Sequence, residues 1–329
     1  MAKRIAINGF GRIGRLVFRQ LLNNSNIEVV AINDLTDNQT LAHMLKYDSA
    51  QGAFDGTVSA DDTHMHVKGK AIPCYANPDP ASLPWSDLGV DVVVECTGRF
   101  LTSDKAQLHI DAGAKKVLLS APAKSSDIKT IVIGVNDHEL SDSDTIVSNA
   151  SCTTNCLAPV CKIVDESFGF QMGSLTTTHA YTADQRIQDA PHKDLRRARA
   201  AAYNIVPTST GAAKAVGLVY PSVLNKMFAM AIRVPVITGS LIELNVLVDN
   251  PVSKEEINEI FKGYAEGSMK GVLEYQQDPI VSSDIVGNTH SSIFDSLMTD
   301  VMGNMVKIVS WYDNEAGYSA RLAQMAGKL

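Results

Sequence analysis

The chain has 329 residues, of which 45% are hydrophobic and 20% charged, and its formal net charge is −7. This composition is typical of a soluble globular protein that is long enough for two domains. The acidic balance argues against binding to nucleic acids or membrane surfaces, and the absence of a run of 18 apolar residues argues against a transmembrane span.

The cysteines and the first residues of the chain indicate in which cellular compartment the protein works. The chain has five cysteines: Cys74, Cys96, Cys152, Cys156 and Cys161. Their spacing matches neither a disulfide framework nor a zinc site, so we expect a reducing, cytoplasmic setting and no bound metal. The first residues lead directly into an apolar strand, and we therefore expect no signal peptide.

The N-terminal stretch has the pattern of a dinucleotide-binding unit. An apolar strand runs into a G-x-G-x-x-G motif at 9–14, a helix follows, and a second strand ends just before Asp34. Gly9 permits a tight turn, Gly11 lets the backbone approach the pyrophosphate, and Gly14 lets helix and strand pack closely. Asp34 would accept hydrogen bonds from the ribose hydroxyls and repel a 2′-phosphate, so the pattern predicts NAD rather than NADP.

Strands and helices continue to alternate up to about residue 150. Residues 65–72 predict a hairpin, and the apolar run 90–96 is typical of a strand buried in a parallel sheet. One strand ends before Thr97 and another near Ser120. Because open α/β sheets bind ligands at the carboxyl ends of their strands, both residues are candidate cofactor contacts, with ordinary turn residues as the alternative.

A reactive cysteine is expected where the following strand meets a helix. Ser151 is placed as the N-cap and Cys152 in the first turn, where free N–H groups and the helix dipole favour a thiolate. The alternative is that Cys152 is a buried small hydrophobe, as most cysteines are. His179 ends a strand of β-branched residues and is a possible partner, because a Cys–His pair activates a thiol and moves a proton. Six further histidines are predicted at the surface or in turns: His43, His64, His66, His109, His138 and His290.

Positive charge is concentrated locally in the second half of the chain. Residues 180–204 lack periodicity and contain a basic cluster at 192–199. Such a cluster is usually a solvated face or a subunit contact, but beside a thiol it could attract a phosphorylated substrate. The hydroxyl-rich stretch 207–214 predicts a loop that opens a helix and cradles phosphate. Arg233 lies within an apolar strand, so we expect it to reach a pocket or a carboxylate.

Motifs along essentially the whole chain resemble those of phosphorylating glyceraldehyde-3-phosphate dehydrogenases of the bacterial glycolytic type. They are I-N-G-F-G-R-I-G at 7–14, S-N-A-S-C-T-T-N-C at 148–156, H-K-D-L-R-R-A-R at 192–199, T-G-A-A-K-A-V at 210–216 and W-Y-D-N-E-x-G-Y at 311–318. The resemblance implies a Rossmann dinucleotide-binding domain at 1–150, completed by a C-terminal helix at 315–329. It also implies an α+β catalytic domain with a mixed or antiparallel sheet at 151–314.

The resemblance further implies roles for individual residues. Cys152 would be the nucleophile and His179 its base. Inorganic phosphate would be bound by Ser151, Thr153, Thr210 and Gly211. The substrate's own phosphate would be held by Thr182 and Arg233, with Arg197 adding charge nearby. NAD would be contacted by Arg12, Ile13, Asp34, Ser120 and Asn314, the last orienting the nicotinamide amide. A homotetramer is implied, with the 180–204 loop at a subunit contact.

The activity implied is oxidation and phosphorylation of glyceraldehyde 3-phosphate in glycolysis, through a thioester on Cys152. Three departures from the family pattern are Asn77-Pro78 near the adenine, Ala190-Pro191 in place of Leu-Pro, and Val236–Gly239 in place of Thr-Pro-Asn. Two alternatives stay open. One is erythrose-4-phosphate dehydrogenase, whose members commonly depart from the T-G-A-A-K-A-V motif that is intact here. The other is a non-catalytic NAD-binding protein with a redox or interaction role.

Overall fold

The computed structural model of the protein describes residues 2–329, which divide into two compact units. The first unit extends to Ile131 and also includes Glu139–Ala150 and Ser319–Leu329. The second consists of Val132–His138 and Ser151–Tyr318. Each unit has its own sheet, and helices connect many of the strands, so the predicted α/β class is confirmed. The functional domain boundaries at 150 and 314 stay a prediction.

The first unit contains nine strands, three whole helices and most of the C-terminal helix, whose bounds are given with the second unit. In chain order they are β1 (Lys3–Asn8), α1 (Arg12–Leu21), β2 (Ile27–Asn33), α2 (Asn38–Lys46), β3 (Val58–Ala60), β4 (His64–Val67), β5 (Lys70–Tyr75), β6 (Val92–Glu95), α3 (Ser103–Asp111), β7 (Lys116–Leu119), β8 (Lys129–Thr130) and β9 (Ile146–Ser148). The strand order is β3-β4-β5-β2-β1-β6-β7-β9-β8.

The centre of this sheet is parallel, and it is the expected dinucleotide-binding arrangement. β1 pairs with β2 on one side and with β6 on the other, so the strand order reverses at β1. β4 and β5 form the predicted antiparallel hairpin. The four residues of β6 are all buried, as the apolar run predicted, and Val93 packs in a core that includes the fully buried Trp85. The carboxyl ends of β1, β2 and β6 therefore meet along one edge.

The second unit contains eight strands and three whole helices, and it includes the start of a fourth helix. They are α4 (Cys152–Phe168), β10 (Met172–Ala180), β11 (Val206–Ser209), α5 (Ala212–Val219), β12 (Met227–Val234), β13 (Ser240–Leu247), α6 (Lys254–Glu266), β14 (Leu273–Gln276), β15 (Ser292–Asp295), β16 (Asp300–Met302), β17 (Met305–Tyr312) and α7 (Ala316–Lys328). The strand order is β11-β12-β10-β13-β17-β15-β14, with β16 paired to β17.

The sheet of the second unit mixes parallel and antiparallel pairs. β10 runs parallel to β12 but antiparallel to β13, and β13 is antiparallel to β17. The expectation of one hydroxyl-rich loop at 207–214 is wrong in part, because Val206–Ser209 is a strand and the loop before α5 is only Thr210-Gly211. Among residues 2–329, no helix is long and apolar enough to cross a membrane.

Candidate active site

The candidate nucleophile lies at the first position of α4. Ala150, immediately before the N-cap, has a φ of 56°, which is unusual for a non-glycine residue and strains the turn. Ser151 is the N-cap, as predicted, and its hydroxyl accepts a hydrogen bond from the Thr154 N–H at 3.1 Å. Cys152 therefore presents its thiol at the positive end of a 17-residue helix.

Cys152 and His179 are brought together by the fold. The Cys152 Sγ lies 3.5 Å from the His179 Nε2. His179 is the penultimate residue of β10 and is only 4% exposed. Its Nδ1 lies 2.6 Å from the Ala180 carbonyl oxygen, which can only accept, so we assign the ring proton to Nδ1. The Nε2 lone pair then faces the thiol and can take its proton.

Arg233 is the third member of this group. β12 pairs with β10 in a register that places Arg233 directly beside His179. Its Nη1 lies 2.8 Å from the His179 Nδ1 and donates to the Ala180 carbonyl oxygen at 3.0 Å, while its buried Nε has no partner among the described residues. The sequence left open whether Arg233 reaches a pocket or a carboxylate. Arg233 reaches no carboxylate among the described residues: it donates to the Ala180 carbonyl beside this pair, which leaves its charge available to an anion.

The electrostatics of the pair favour a neutral imidazole and a protonated thiol in the free protein. Burial, reinforced by the charge of Arg233, lowers the pKa of His179 to about 3. Burial also raises the pKa of the Cys152 thiol, although Arg233 and hydrogen bonds from Thr153 partly oppose that rise. The predicted position of the thiol at the helix start is confirmed, but the net direction of its pKa is opposite to what a helix start alone would give. The cause is that burial outweighs the favourable dipole.

The candidate anion-binding residues lie in three places. Thr153 lies next to Cys152, and its hydroxyl is 2.8 Å from the Tyr312 hydroxyl. The Thr210 hydroxyl accepts from the Ala212 N–H at 3.2 Å, and Gly211 is the N-cap of α5 with open space where a Cβ would be. These two residues therefore form a helix N-terminus of the kind that binds phosphate.

The other two candidate residues lie in the irregular loop before β11. Arg197 forms an ion pair with Asp184 and donates to the Thr208 hydroxyl at 3.0 Å. Its charge nevertheless lowers the pKa of both His179 and Arg233, so Arg197 contributes to the field of the site without contacting the pair. The carbonyl of Thr182 caps a turn by accepting from the Gln185 N–H. Arg197 therefore lies near enough to add positive charge, and its role in substrate binding stays a prediction.

The residues predicted for dinucleotide binding meet at the edge of the first sheet. Gly9 has a φ of 92°, and a Cβ there would lie 2.8 Å from the Thr97 nitrogen. A Cβ on Gly14 would lie 2.1 Å from the Gly9 carbonyl oxygen, so the turn and the helix can pack this closely only with glycine. At Gly11 a Cβ would meet nothing within 4 Å, which leaves that face open to a ligand. These constraints fit the roles that the motif assigns to its glycines.

A cavity of about 340 Å³ lies beside this turn. Its lining includes Gly9, Gly11, Asp34 and Thr97, together with the departure at Asn77-Pro78. One Asp34 oxygen accepts from the Phe10 N–H at 2.7 Å, which holds the carboxylate at the cavity. A carboxylate in this position fits the ribose hydroxyls of NAD.

The remaining predicted cofactor residues have defined partners. Arg12 and Ile13 begin α1, and the Arg12 guanidinium donates to Asp48 at 2.6 Å. Ser120 follows β7, and its side chain hydrogen-bonds to the Cys96 thiol. The Asn314 side-chain oxygen accepts from the Gly239 N–H at 3.2 Å and the Ser240 hydroxyl at 2.9 Å. Its amide nitrogen is thereby left to donate.

The contact between Asn314 and Gly239 explains what the segment Val236–Gly239, which departs from the family pattern, does in the structure. Gly239 has a φ of 92°, and a Cβ there would lie 2.6 Å from the Ser282 carbonyl oxygen. Thr238 donates to Asp313 at 3.0 Å while Gly239 donates to Asn314. The substituted segment therefore fixes the two residues that follow β17.

One histidine and two further polar residues lie at positions that the sequence did not predict. His109 is fully buried, so its predicted surface position is wrong, because it lies in a polar cluster with Glu95 and Trp85. Tyr312 links the Thr153 and Thr177 hydroxyls and packs its ring edge-on to His179. The only sequence signal for Glu95 was a charge at the end of an apolar run. No group of three or more potential metal ligands occurs within residues 2–329.

Comparison with known proteins agrees with this arrangement. Residues 3–103 match the model of the glyceraldehyde 3-phosphate dehydrogenase NAD binding domain, and residues 151–314 match that of the C-terminal domain. These matches define the class as an NAD-dependent oxidoreductase that acts on an aldehyde group.

Individual relatives are similar over nearly their whole length. Glyceraldehyde-3-phosphate dehydrogenase of Mycobacterium avium is 56% identical over 332 residues, covering 99% of this chain and 98% of the relative. Glyceraldehyde-3-phosphate dehydrogenase 1 of Bacillus cereus is 57% identical over 326 residues, with 98% and 97% covered. The enzyme of Geobacillus stearothermophilus is 55% identical over 328 residues, with 99% and 98% covered. The chain belongs to the glyceraldehyde-3-phosphate dehydrogenase family.

Proposed function

We propose that this chain oxidises and phosphorylates glyceraldehyde 3-phosphate, using NAD and inorganic phosphate, to give 1,3-bisphosphoglycerate. The observation that carries the proposal is the Cys152 thiol, 3.5 Å from the unprotonated Nε2 of His179, with Arg233 beside the same ring. A thiol, a neutral base and an unpaired cation are what the attack on a phosphorylated aldehyde requires.

The first step forms a bond between the Cys152 sulfur and the aldehyde carbon. The His179 Nε2 takes the thiol proton and passes it to the carbonyl oxygen, which becomes the hydroxyl of a thiohemiacetal and leaves Nε2 unprotonated again. In the oxidation that follows, Nε2 accepts that hydroxyl proton as the carbon loses a hydride. NAD, when bound, supplies the acceptor for this hydride. The product on the chain is a thioester of Cys152, and one proton leaves.

The second step transfers the acyl group to phosphate. A phosphate oxygen attacks the thioester carbon, the carbon–sulfur bond breaks, and Cys152 is restored. Ser151, Thr153, Thr210 and Gly211 are proposed to hold this phosphate, and Thr182 and Arg233 to hold the phosphate of the substrate. The helix N-termini at Ser151 and Gly211 support this assignment, because free backbone N–H groups bind anions well.

The two parts of the chain are proposed to divide the work. Residues 1–150, with the helix at 315–329, would bind NAD through Gly9, Gly11, Arg12, Ile13, Gly14, Asp34, Thr97 and Ser120. Residues 151–314 would carry the chemistry, with Asn314 orienting the nicotinamide amide. We further propose a cytoplasmic homotetramer that acts in glycolysis and binds neither nucleic acid nor membranes.

One assay separates this function from its alternatives. The purified protein is mixed with NAD and glyceraldehyde 3-phosphate, with or without inorganic phosphate, and the absorbance of reduced cofactor is followed. Steady, phosphate-dependent turnover is expected. A higher kcat/KM with erythrose 4-phosphate would instead favour the erythrose-4-phosphate dehydrogenase reading. Binding of NAD without turnover on either aldehyde would favour the non-catalytic role.

A further inference from the structure

Glu95 is a fully buried carboxylate at the end of β6, beneath the dinucleotide cavity. It accepts four hydrogen bonds. Oε1 accepts from the Thr97 N–H at 2.6 Å and the Thr97 hydroxyl at 2.5 Å, and Oε2 accepts from the Asn8 amide at 2.5 Å and the His109 Nε2 at 3.1 Å. Because every neighbour donates, Glu95 acts only as an acceptor, which is the ionised form of a carboxyl group.

The protonation of His109 follows from its other contact. The Trp85 indole N–H donates to the His109 Nδ1 at 3.1 Å, so that nitrogen carries no proton. The proton must then lie on Nε2, where it points at Glu95. His109 is therefore a neutral donor. Among the described residues, hydrogen bonds rather than a cation stabilise the negative charge of Glu95.

The hydrogen bonds of Glu95 also fix how the asparagine side chains in the cavity wall are oriented. The Asn8 side-chain oxygen accepts from the Asn33 amide at 2.7 Å. The Asn33 amide also donates to the Asn77 carbonyl at 2.9 Å, and its side-chain oxygen accepts from the Asn77 N–H at 2.9 Å. Since Glu95 can only accept, it fixes which way the Asn8 amide faces, and Asn8 in turn fixes Asn33.

These bonds decide what the cavity offers to a ligand. Asn8, Asn33, Asn77 and Thr97 all line it, and the side-chain donors of Asn8, Asn33 and Thr97 are committed to one another, to Glu95 or to the Asn77 carbonyl. This part of the wall therefore has no uncommitted side-chain donor, while the oxygens of Asn8 and Asn33 each keep a second lone pair, and the Asp34 carboxylate adds negative charge. Ribose hydroxyls can donate to such a wall. A 2′-phosphate requires donors and would lie against the Asp34 carboxylate, with the buried charge of Glu95 behind Asn8 and Thr97. Arg99 is an exposed cation of the same lining.

We propose that Glu95 is a specificity-determining residue, which turns the donors of the cavity away from the ligand and thereby favours NAD over NADP. This role would offset Ala190, which lacks the bulk that helps to exclude a 2′-phosphate in related enzymes. The proposal rests on the dinucleotide site of the proposed function but not on its aldehyde chemistry.

The decisive experiment measures the dissociation constants of NAD and NADP by calorimetry, without any aldehyde. In Glu95→Gln the side chain gains two donors, so Asn8 and Asn33 must reorient while the buried charge is lost. We expect NAD to bind about tenfold more weakly and the dissociation constant of NADP to change little. The ratio of the two dissociation constants, which measures the preference for NAD, should therefore fall about tenfold. Glu28→Gln, which alters an exposed carboxylate paired with Arg4, is the matched control and should change neither constant.

A second variant tests the same inference without touching the cavity. Trp85→Phe/His109→Phe keeps an aromatic ring at both positions, removes a donor together with its acceptor, and takes one donor from Glu95. The preference for NAD over NADP should fall about threefold, which corresponds to the loss of one modest hydrogen bond. An unchanged ratio of the two dissociation constants in this folded variant, or equal weakening of both in Glu95→Gln, overturns the proposal. Failure of the aldehyde chemistry would leave these binding results standing.

Discussion

Glu95 and Arg233 are two charged side chains removed from solvent, and the protein treats them in opposite ways. Glu95 is fully buried, and four donors satisfy its oxygens. Arg233 is half-buried, its Nε lacks a partner among the described residues, and its Nη1 contacts a neutral imidazole and a carbonyl.

Burying a charge costs several kcal/mol unless hydrogen bonds replace its water. The protein meets this cost for Glu95, which identifies it as part of the scaffold that shapes a pocket. For Arg233 hydrogen bonds replace the lost water only in part, which supports its proposed role in binding an anion. The comparison suggests a rule for buried charges: one whose hydrogen-bonding groups all have partners positions its neighbours, whereas one with unpaired groups binds a ligand.

The largest effect in the second unit is expected from the nucleophile. Cys152→Ser keeps the shape of the side chain but removes the sulfur on which the thioester forms. We expect kcat to fall by more than about 10³-fold, measured as the steady rate of cofactor reduction. Cys74→Ser, which changes a half-buried cysteine outside the site, should retain activity. Substantial turnover by Cys152→Ser would contradict the assignment of Cys152 as the nucleophile.

Loss of the base is expected to have the next largest effect. His179→Asn removes the nitrogen that faces the thiol, so kcat should fall by about 10²–10⁴-fold. The pH dependence of thiol alkylation should also move to higher pH, because the thiol proton loses its acceptor. If alkylation followed the same pH curve in the variant, Cys152 and His179 would not act as a pair.

Acid stability should also report on His179. Its pKa is about 3 when folded, against about 6.5 for a free imidazole, so the unfolded chain binds the additional proton. This group therefore lowers the free energy of unfolding progressively as the pH falls from about 6.5 towards 3. Denaturant unfolding at pH 7 and pH 5 should show a smaller loss in His179→Asn than in the parent. Equal losses would show that the ring is not held neutral.

Removing the unsatisfied cation should act on substrate binding rather than on folding. Arg233→Met keeps the length of the stem, and we expect KM for glyceraldehyde 3-phosphate to rise about a hundredfold, because truncating one side of a buried charge pair costs about 2–5 kcal/mol. Since no carboxylate partner is lost, the denaturant midpoint should stay the same or rise. Arg233→Lys, which retains the charge, should recover part of the affinity. A normal KM in Arg233→Met would assign the substrate phosphate elsewhere.

The sequence predicted those features that are built from neighbouring residues. The glycine turn at 9–14 and the Ser151 cap each follow from local chemistry, and the structure confirms them. Arg233 could not be placed beside His179 in this way, because that contact depends on the register of two parallel strands. Without tertiary contacts, His109 also resembled any polar residue of a surface helix.

The smallest expected effect concerns Tyr312, whose importance depends on the same kind of long-range pairing. Its hydroxyl lies 2.8 Å from that of Thr153 and 2.9 Å from that of Thr177, and it is almost fully buried. Tyr312→Phe retains the ring that packs on His179 but leaves two buried hydroxyls with one partner fewer. The free energy of unfolding should fall by about 1–2 kcal/mol, measured by denaturant titration.

The matched control is Tyr203→Phe, which removes a hydroxyl from a side chain that is 88% exposed and should change stability by less than about 0.5 kcal/mol. Because Thr153 is proposed to bind inorganic phosphate, Tyr312→Phe should also raise KM for phosphate by a few-fold while leaving KM for the aldehyde nearly unchanged. Equal changes in both constants would mean that Tyr312 supports the whole site. A change confined to phosphate would show that satisfying one hydroxyl, like satisfying Glu95, is how the fold positions a ligand contact.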